Sequence, residues 1–577
     1  MQNQPKKPGI GNLLKPYKGF IASLVILAVA SNALNLVTPK LISHAIDSFA
    51  RGQFALAQTV ETFLLIAGLV LVLTFVQGVV QTYASERVAR DLRNKLAEKI
   101  SKQSFLFVQN ATPSILLTNL TSDIDGIKLF VSQAIVSLVS SFLLVLGASA
   151  ILFSIEWKLA LAVLAVIPVI GGLFFLTLAR VRVLFGEAQK VIDWLNKVIS
   201  ESILASALIR VLNSQKDEYD KFMTANTQAK DIGLKILSMF AGLIPLITFL
   251  GNIAVLIILG LGGHYVINGE MTLGDFAAFT SYLAILIFPI LIIGFMSNVI
   301  ARAQASYARI SSILDAPDPE PTGDAHAELM GRLEVKNAWL MYGEKPVLKD
   351  VSFEVKPGTR VAIIGPTAAG KTQLLYALAG LVVPQAGEVR YDGKTIHEYR
   401  PDRLYEQIGL VFQDSVMFNL TIKENIAFGE KVRPDDLERA VKTAELDDFI
   451  SALPDGLETI VSERGTSLSG GQKQRIMLAR ALALNPKILF LDDFTARVDA
   501  LTEQKILDNI EQLYPGITLI SVTQKISAIE KYDNIILLME GEVLAEGTHE
   551  HLMEASPEYV QIYESQKSTS HYEVPAQ

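Results

Sequence analysis

The chain has 577 residues, of which 50% are hydrophobic and 19% charged, and its mean hydropathy is +0.36; this is too apolar for a soluble enzyme of that length and marks a membrane protein. Its net charge of −8 leaves no global basic surface to attract nucleic acid. It has no cysteine, which excludes disulfides, zinc-thiolate sites and thiol nucleophiles.

The segment Met1–Lys18 is polar and basic, carries Lys6, Lys7, Lys15 and Lys18 with Pro5 and Pro8, and lacks the apolar core and cleavage site of a signal peptide. It reads as a retained cytoplasmic segment. Crossing a hydrocarbon core of about 30 Å takes roughly 20 apolar residues. Six segments qualify, at Phe20–Val37, Thr62–Gln81, Val131–Phe153, Leu159–Leu178, Leu237–Val266 and Leu273–Ile293. Basic residues gather on one side of these spans. The four lysines precede the first; Arg87, Arg90, Arg93, Lys95, Lys99 and Lys102 follow the second. Arg180, Arg182, Lys190 and Lys197 follow the fourth, and Arg302 and Arg309 the sixth. The opposite loops hold only Lys40, Arg51 and Lys158, so the positive-inside rule puts both termini in the cytoplasm.

Two spans are expected to continue beyond the lipid. From Thr62 to Asn110 there is no proline, and Val88, Leu92, Leu96 and Ile100 extend the apolar stripe, which predicts a helix of roughly 70 Å. After the fourth span Leu184, Ala188, Val191, Leu195 and Val198 do the same. These cytoplasmic legs read either as a lever between the spans and the domain that follows them or as a hairpin packed on itself. The turns near Pro113–Asp123 and Glu201–Ala207 are the parts expected to touch that domain.

Residues 315–330, beginning Asp315-Ala316-Pro317-Asp318-Pro319, form an acidic, proline-rich linker that neither helix nor sheet absorbs. It separates a membrane domain, 1–314, from a second domain, 331–577. There Leu333-Glu334-Val335 and Val351–Val355 alternate like half-buried strands, while Val361–Ile364 and Ile488–Leu491 read as buried parallel strands. The run GPTAAGKT, from Gly365 through Pro366, Thr367, Ala368, Ala369 and Gly370 to Lys371 and Thr372, follows one of them. In such a strand–loop–helix arrangement backbone N–H groups cradle phosphates, the lysine reaches the β and γ groups, and the threonine hydroxyl faces Mg²⁺. The predicted fold is an all-α six-helix transmembrane domain with long cytoplasmic extensions, followed by an α/β P-loop ATPase domain.

With LSGGQ at Leu468, Ser469, Gly470, Gly471 and Gln472, the whole chain resembles a half-transporter of the ABC exporter family, of the heterodimeric bacterial multidrug type. The resemblance implies that Asp492 ends the Walker B strand and, with Thr372 and Gln413, holds Mg²⁺, and that Tyr342 stacks on adenine. Gln413 matches the Q-loop glutamine, and Glu463-Arg464-Gly465 the segment that touches a partner's leg. In this family two ATPase domains pair head to tail, so LSGGQ closes on ATP held by the other chain. Asp499 matches the D-loop aspartate that links the two sites, although Arg497-Val498 replaces the usual small residue and leucine before it.

Four positions depart from the pattern. Asp493 stands where a glutamate general base is expected, one methylene short; a misplacement of about 1 Å can cost around 10²-fold, and general-base help is worth about 10² to 10⁴. Gln524 replaces the switch histidine and cannot take up a proton. Gln373 stands where a threonine commonly touches the α-phosphate, and Ala368 replaces a P-loop glycine. All four belong to the half-site that holds this chain's own ATP, whereas the signature is intact. The expected partner is therefore a homologous half-transporter with an intact glutamate and histidine, in a bacterial cytoplasmic membrane.

Asn32, Asn35, Asn252 and Asn298 lie within spans, as do Phe279, Tyr282, Phe288 and Phe295 around Pro289; they read as helix–helix contacts or as lining for an amphipathic substrate. Mid-span acids and bases that would couple an ion are missing. Export driven by ATP, of drugs, other amphipathic compounds or lipid, is one reading. A nucleotide-binding regulatory or gating subunit is the other. The six spans exclude a soluble ATPase acting on DNA or ribosomes.

Overall fold

Each of the six apolar segments lies on a helix long and apolar enough to cross a bilayer in a computed structural model of the chain. The structure describes residues 10–570 apart from 319–322, 324, 326–327, 344, 415, 430, 463–464 and 466. Much of the predicted linker, and Glu463 and Arg464, thus lie outside the described residues. Two compact units emerge, a helical one (Met1–Lys102 with Ala111–Pro317) and an α/β one (Gln103–Asn110 with Asp318–Gln577).

In the helical unit the first span belongs to α1 (Lys18–Ala50) and the second to α2 (Leu56–Lys102), whose Val88, Leu92 and Leu96 are buried as the stripe predicts. The helix does not run on to Asn110. It ends at Lys102, and a short α3 (Phe105–Ala111) follows after a break at Gln103-Ser104. The third span lies on the turn Phe130–Ala134 and α4 (Ile135–Ile155), the fourth on a short helix Trp157–Leu164 and the start of α5 (Val166–Leu204), the fifth on the end of α6 (Gln215–Ile257) and the helical turns Ile258–Gly262 and Gly263–Ile267, and the sixth on α7 (Leu273–Leu314). Helix α5 lies against α6, and α7 against α1 and α4. Asn32 donates to the carbonyl of Ala28 at 2.7 Å and to Ser140 on α4 at 2.8 Å, which makes it a helix–helix contact. Tyr282, fully buried, donates to the Leu36 carbonyl at 2.7 Å. Asn35, Asn252 and Asn298 are exposed on the single chain.

The α/β unit holds two sheets. An antiparallel one, in the order β2-β1-β4-β5, is built from β1 (Leu333–Tyr342), β2 (Lys345–Val355), β4 (Ala386–Tyr391) and β5 (Lys394–Thr395). The other is ordered β10-β9-β3-β8-β7-β6, with β3 (Arg360–Ile364), β6 (Ile408–Val411), β7 (Ile488–Asp492), β8 (Thr518–Val522), β9 (Asn534–Met539) and β10 (Glu542–Gly547). Strands β9, β3, β8, β7 and β6 are parallel and β10 is antiparallel. Strands β7 and β8 are buried at every residue and β3 at four of its five, and β3 and β7 accordingly carry the apolar runs Val361–Ile364 and Ile488–Leu491 rather than alternating residues.

The segment grouped with the α/β unit from within the helical half of the sequence is Gln103–Asn110, upstream of the expected turn. Phe105 packs edge-on against Tyr376, ring centroids 5.5 Å apart, and Tyr376 against Phe412 at 6.0 Å, next to Gln413. Pro113–Asp123 stays in the helical unit, where Asp123 accepts from Arg309 Nε at 2.8 Å and from Ser306 at 2.9 Å. Glu201–Ala207 also stays there, with Ile203 and Leu204 exposed.

Candidate nucleotide site at the ends of the parallel strands

Strands β3, β8 and β7 are neighbours in register, with Ile363 level with Val522 and Val522 level with Asp492. Their carboxyl ends therefore deliver three loops side by side, where parallel α/β sheets bind ligands. After β3 comes the P-loop, which turns into α8 (Lys371–Leu378). The turn depends on glycine at both ends: Gly365 has φ 152° and Gly370 φ 99°. A Cβ on Gly365 would lie 2.0 Å from the Leu538 carbonyl oxygen, and one on Gly370 2.8 Å from that of Val347. Ala368 also has positive φ, 65°, although it carries a side chain.

The loops enclose a cavity of about 750 Å³, within the usual size of a small-molecule site. Thr367, Ala368, Ala369, Gly370, Lys371, Thr372 and Gln373 line it from the P-loop side. Gln413, Asp492, Asp493 and Gln524 line it from the other loops. The four departures from the family pattern thus share one cavity. Gly365 and Pro366 contribute through their carbonyls, which accept from Lys371 Nζ at 2.8 and 2.9 Å. Tyr342, at the end of β1, donates its hydroxyl to Gln373 Oε1 at 3.0 Å. Pro346, Val522, Thr523 and Glu540 also line the cavity, as do Lys345, Val347 and Lys349. Sequence reasoning passed over these three, although two lysines two residues to either side of a valine share one face of a strand and so carry a readable signal.

Burial dominates the electrostatics. It depresses the Lys371 ammonium, against the opposing pull of Asp493 and Asp492. It raises the Asp492 carboxyl to about 6; a bond from Thr372 at 3.2 Å acts against the rise and the charge of Asp493 adds to it. Asp492 is fully buried, and its second oxygen, Oδ2, has no hydrogen-bond partner among the described residues. A buried carboxylate oxygen without a donor beside a threonine hydroxyl and a glutamine is the kind of donor set Mg²⁺ takes when it arrives with phosphates, so the residues fit that ion. Among the described residues no trio of His, Asp or Glu forms a cage of its own.

Two neighbours fix the outer loops. Gln474, buried, donates to the Gln413 carbonyl at 3.1 Å from α9 (Gly470–Leu482). Gln566, on the C-terminal helix, bridges the turn after β8: it donates to the Gln524 carbonyl at 2.6 Å and accepts from the Ile526 N–H at 2.9 Å. The signature lies outside the cavity, at the start of α9. Ser469 caps that helix, accepting from Gln472 N–H at 3.3 Å while Gln472 accepts from Ser469 N–H at 2.8 Å. Gly470 and Gly471 leave room for Arg497, whose Cδ and carbonyl oxygen would lie 3.1 and 2.8 Å from added Cβ atoms. Asp499 caps the next helix, α10 (Ala500–Leu513), by accepting from Thr502 N–H at 2.9 Å.

Residues 21–290 match the family model of the ABC transporter transmembrane region and residues 348–496 that of the ABC transporter. An uncharacterized ABC transporter ATP-binding protein of Bacillus subtilis, YknU, is 32% identical over 563 residues, covering 96% of both chains. The chain is an ABC transporter. A probable multidrug resistance ABC transporter of B. subtilis, YheI, is 33% identical to the transporter, with 97% of each covered. The ATP-dependent lipid A-core flippase of Syntrophus aciditrophicus is 30% identical over 85% of it and 83% of the flippase. A solved structure of a bacterial Atm1-family ABC exporter with ATP bound shares its fold, with a TM-score of 0.78 and 23% identity over 97% of this chain and 99% of that one. The transporter is thus a multi-pass membrane protein with six spans, whose ABC domain binds ATP and couples hydrolysis to export. The matched ATP-binding region contains the P-loop, the signature, Asp492 and Asp493, but ends before Gln524 and begins after Tyr342.

Proposed function

We propose that this transporter is one half of a heterodimeric exporter of drugs or other amphipathic compounds, holding ATP in its own cavity while its LSGGQ completes a competent site on a partner chain. The observation that carries this reading is the distribution of the departures. Ala368, Gln373, Asp493 and Gln524 all line one cavity, whereas Ser469, Gly470, Gly471 and Gln472 keep the full signature and lie outside it. A homodimer would join two impaired cavities to two good signatures. A heterodimer gives each signature a useful role.

In this cavity Lys371 and the P-loop N–H groups would bind the phosphates, Thr372, Asp492 and Gln413 would hold Mg²⁺, and Tyr342 would cover the base. Mg²⁺, when bound, neutralises phosphate charge. Asp493 and Gln524 occupy the positions that would activate and orient water, but one carboxylate is short and the other group cannot accept a proton. Binding therefore outlasts hydrolysis here. Closure of the two ATPase domains turns the transport path outward, and hydrolysis on the partner's side resets it.

The test compares chains. Asp493→Ala in this transporter is expected to lower turnover of the assembled pump much less than removal of the partner's glutamate; equal losses would overturn the reading. Restoring Asp493→Glu together with Gln524→His should raise hydrolysis at this site. In proteoliposomes, ATP-dependent accumulation of an amphipathic dye supports a drug exporter, movement of a labelled lipid alone supports a flippase, and leak without accumulation supports a gating subunit.

A further inference from the structure

Tyr342 sits where a strand end is expected to be loose. It pairs with Lys345 and is followed by Gly343, in a turn with φ 62°, and residues next to turns are among the most mobile in a domain. Three contacts hold it. Its ring packs, half-buried, against the core shared by the two sheets; the preceding Met341 N–H donates to Gln385 Oε1 at 2.7 Å; and its hydroxyl donates to Gln373 at 3.0 Å. The third contact crosses from the antiparallel sheet to α8, and Gln373 is the residue directly after Lys371 and Thr372. A threonine, the residue common at this position, has a side chain too short to make the same bridge. Gln373 therefore does something other than replace a phosphate contact with a poorer one.

We propose that Gln373, which lines the cavity, is a positioning residue that acts through Tyr342, holding the tyrosine ring, itself outside the cavity lining, at the cavity's edge before nucleotide enters and slowing the nucleotide's escape. A ring that is already ordered loses no freedom when a base stacks on it, and the gain appears as a slower release rate. The inference rests on the reading that this cavity retains ATP. It gives that retention a cause: the side chain that gives up the α-phosphate strengthens the hold on the base.

The test uses the full-length chain in lipid nanodiscs, loaded with ATP labelled on the ribose, and follows release by fluorescence. Tyr342→Phe keeps the stacking ring and removes only the hydroxyl. It is expected to speed release roughly three- to tenfold, the range a single partly buried hydrogen bond supports. Gln373→Ala should do the same, and the double variant should release no faster than either single one, because both remove one interaction. In nucleotide-free protein, amide hydrogen exchange across residues 341–345 should quicken in both single variants. Release at the wild-type rate in Tyr342→Phe, or fully additive effects, would overturn the proposal. So would unchanged exchange. Lys371→Ala separates the two readings: if it leaves nucleotide binding intact, the cavity is not the ATP site, while the exchange result still reports on the tether.

Discussion

Asp492 and Ala368 each carry a local cost that nucleotide relieves or tolerates. The folded pKa of Asp492, about 6, exceeds its ordinary value of 3.8. Its charge therefore destabilises the nucleotide-free fold: the penalty is absent below about pH 4, grows as the pH rises towards 6 and is complete above that, on the order of 2 kcal/mol. Asp492→Asn is expected to melt at a higher temperature than the wild type at pH 7.5 without nucleotide, with the advantage shrinking at pH 5 and lost near pH 4. With Mg²⁺ and ATP the order should invert, because the variant lacks the carboxylate that the ion needs. Ala368 holds a left-handed backbone in a side-chain-bearing residue, at about 1 kcal/mol. Ala368→Gly should stabilise the nucleotide-free protein by roughly 0.5 kcal/mol after the glycine's larger unfolded-state entropy is counted. A lower melting temperature would show that the loop is not strained. That Ala368 departs from the P-loop pattern was legible in the sequence. Its positive φ and the missing donor at Asp492 Oδ2 were not, because both depend on neighbours supplied by distant strands.

Helix α9 links two places that the sequence left separate. Its first turn is the signature, capped by Ser469, and its buried Gln474 holds the Gln413 carbonyl at the cavity rim. Ser469→Ala should reduce turnover of the assembled pump by about tenfold or more, since a donor aimed at a transition-state charge commonly carries that much, yet leave ATP retention in this chain's own cavity near the wild-type rate. Equal loss at both would place the signature in the cis site. Periodicity revealed the stripe on α2 but not where the helix ends. Thr62–Asn110 contains no proline, and the break at Gln103-Ser104 belongs with the docking of Phe105 on Tyr376, a tertiary contact without a helix-breaking residue to announce it.

At the level of the molecule, the proposed heterodimer would make the two chains unequal. Blocking this chain's P-loop with Lys371→Ala should weaken nucleotide-dependent closure but leave the partner's site chemically intact. Single-turnover hydrolysis at high ATP should then persist, whereas the same change in the partner abolishes it. Loss of single turnover from both would mean that the sites are equivalent.

The sequence by itself determined the six spans and the strand–P-loop–helix unit, because lipid thickness and strand burial act on contiguous residues. It also displayed every departure from the family pattern one position at a time. Only the tertiary structure decided that these departures face one another. Residues 368, 373, 493 and 524 meet because β3, β8 and β7 are neighbours in a parallel sheet and end at the same edge. The same folding gave Gln373, on α8, a partner in Tyr342, 31 residues earlier at the end of a strand of the antiparallel sheet.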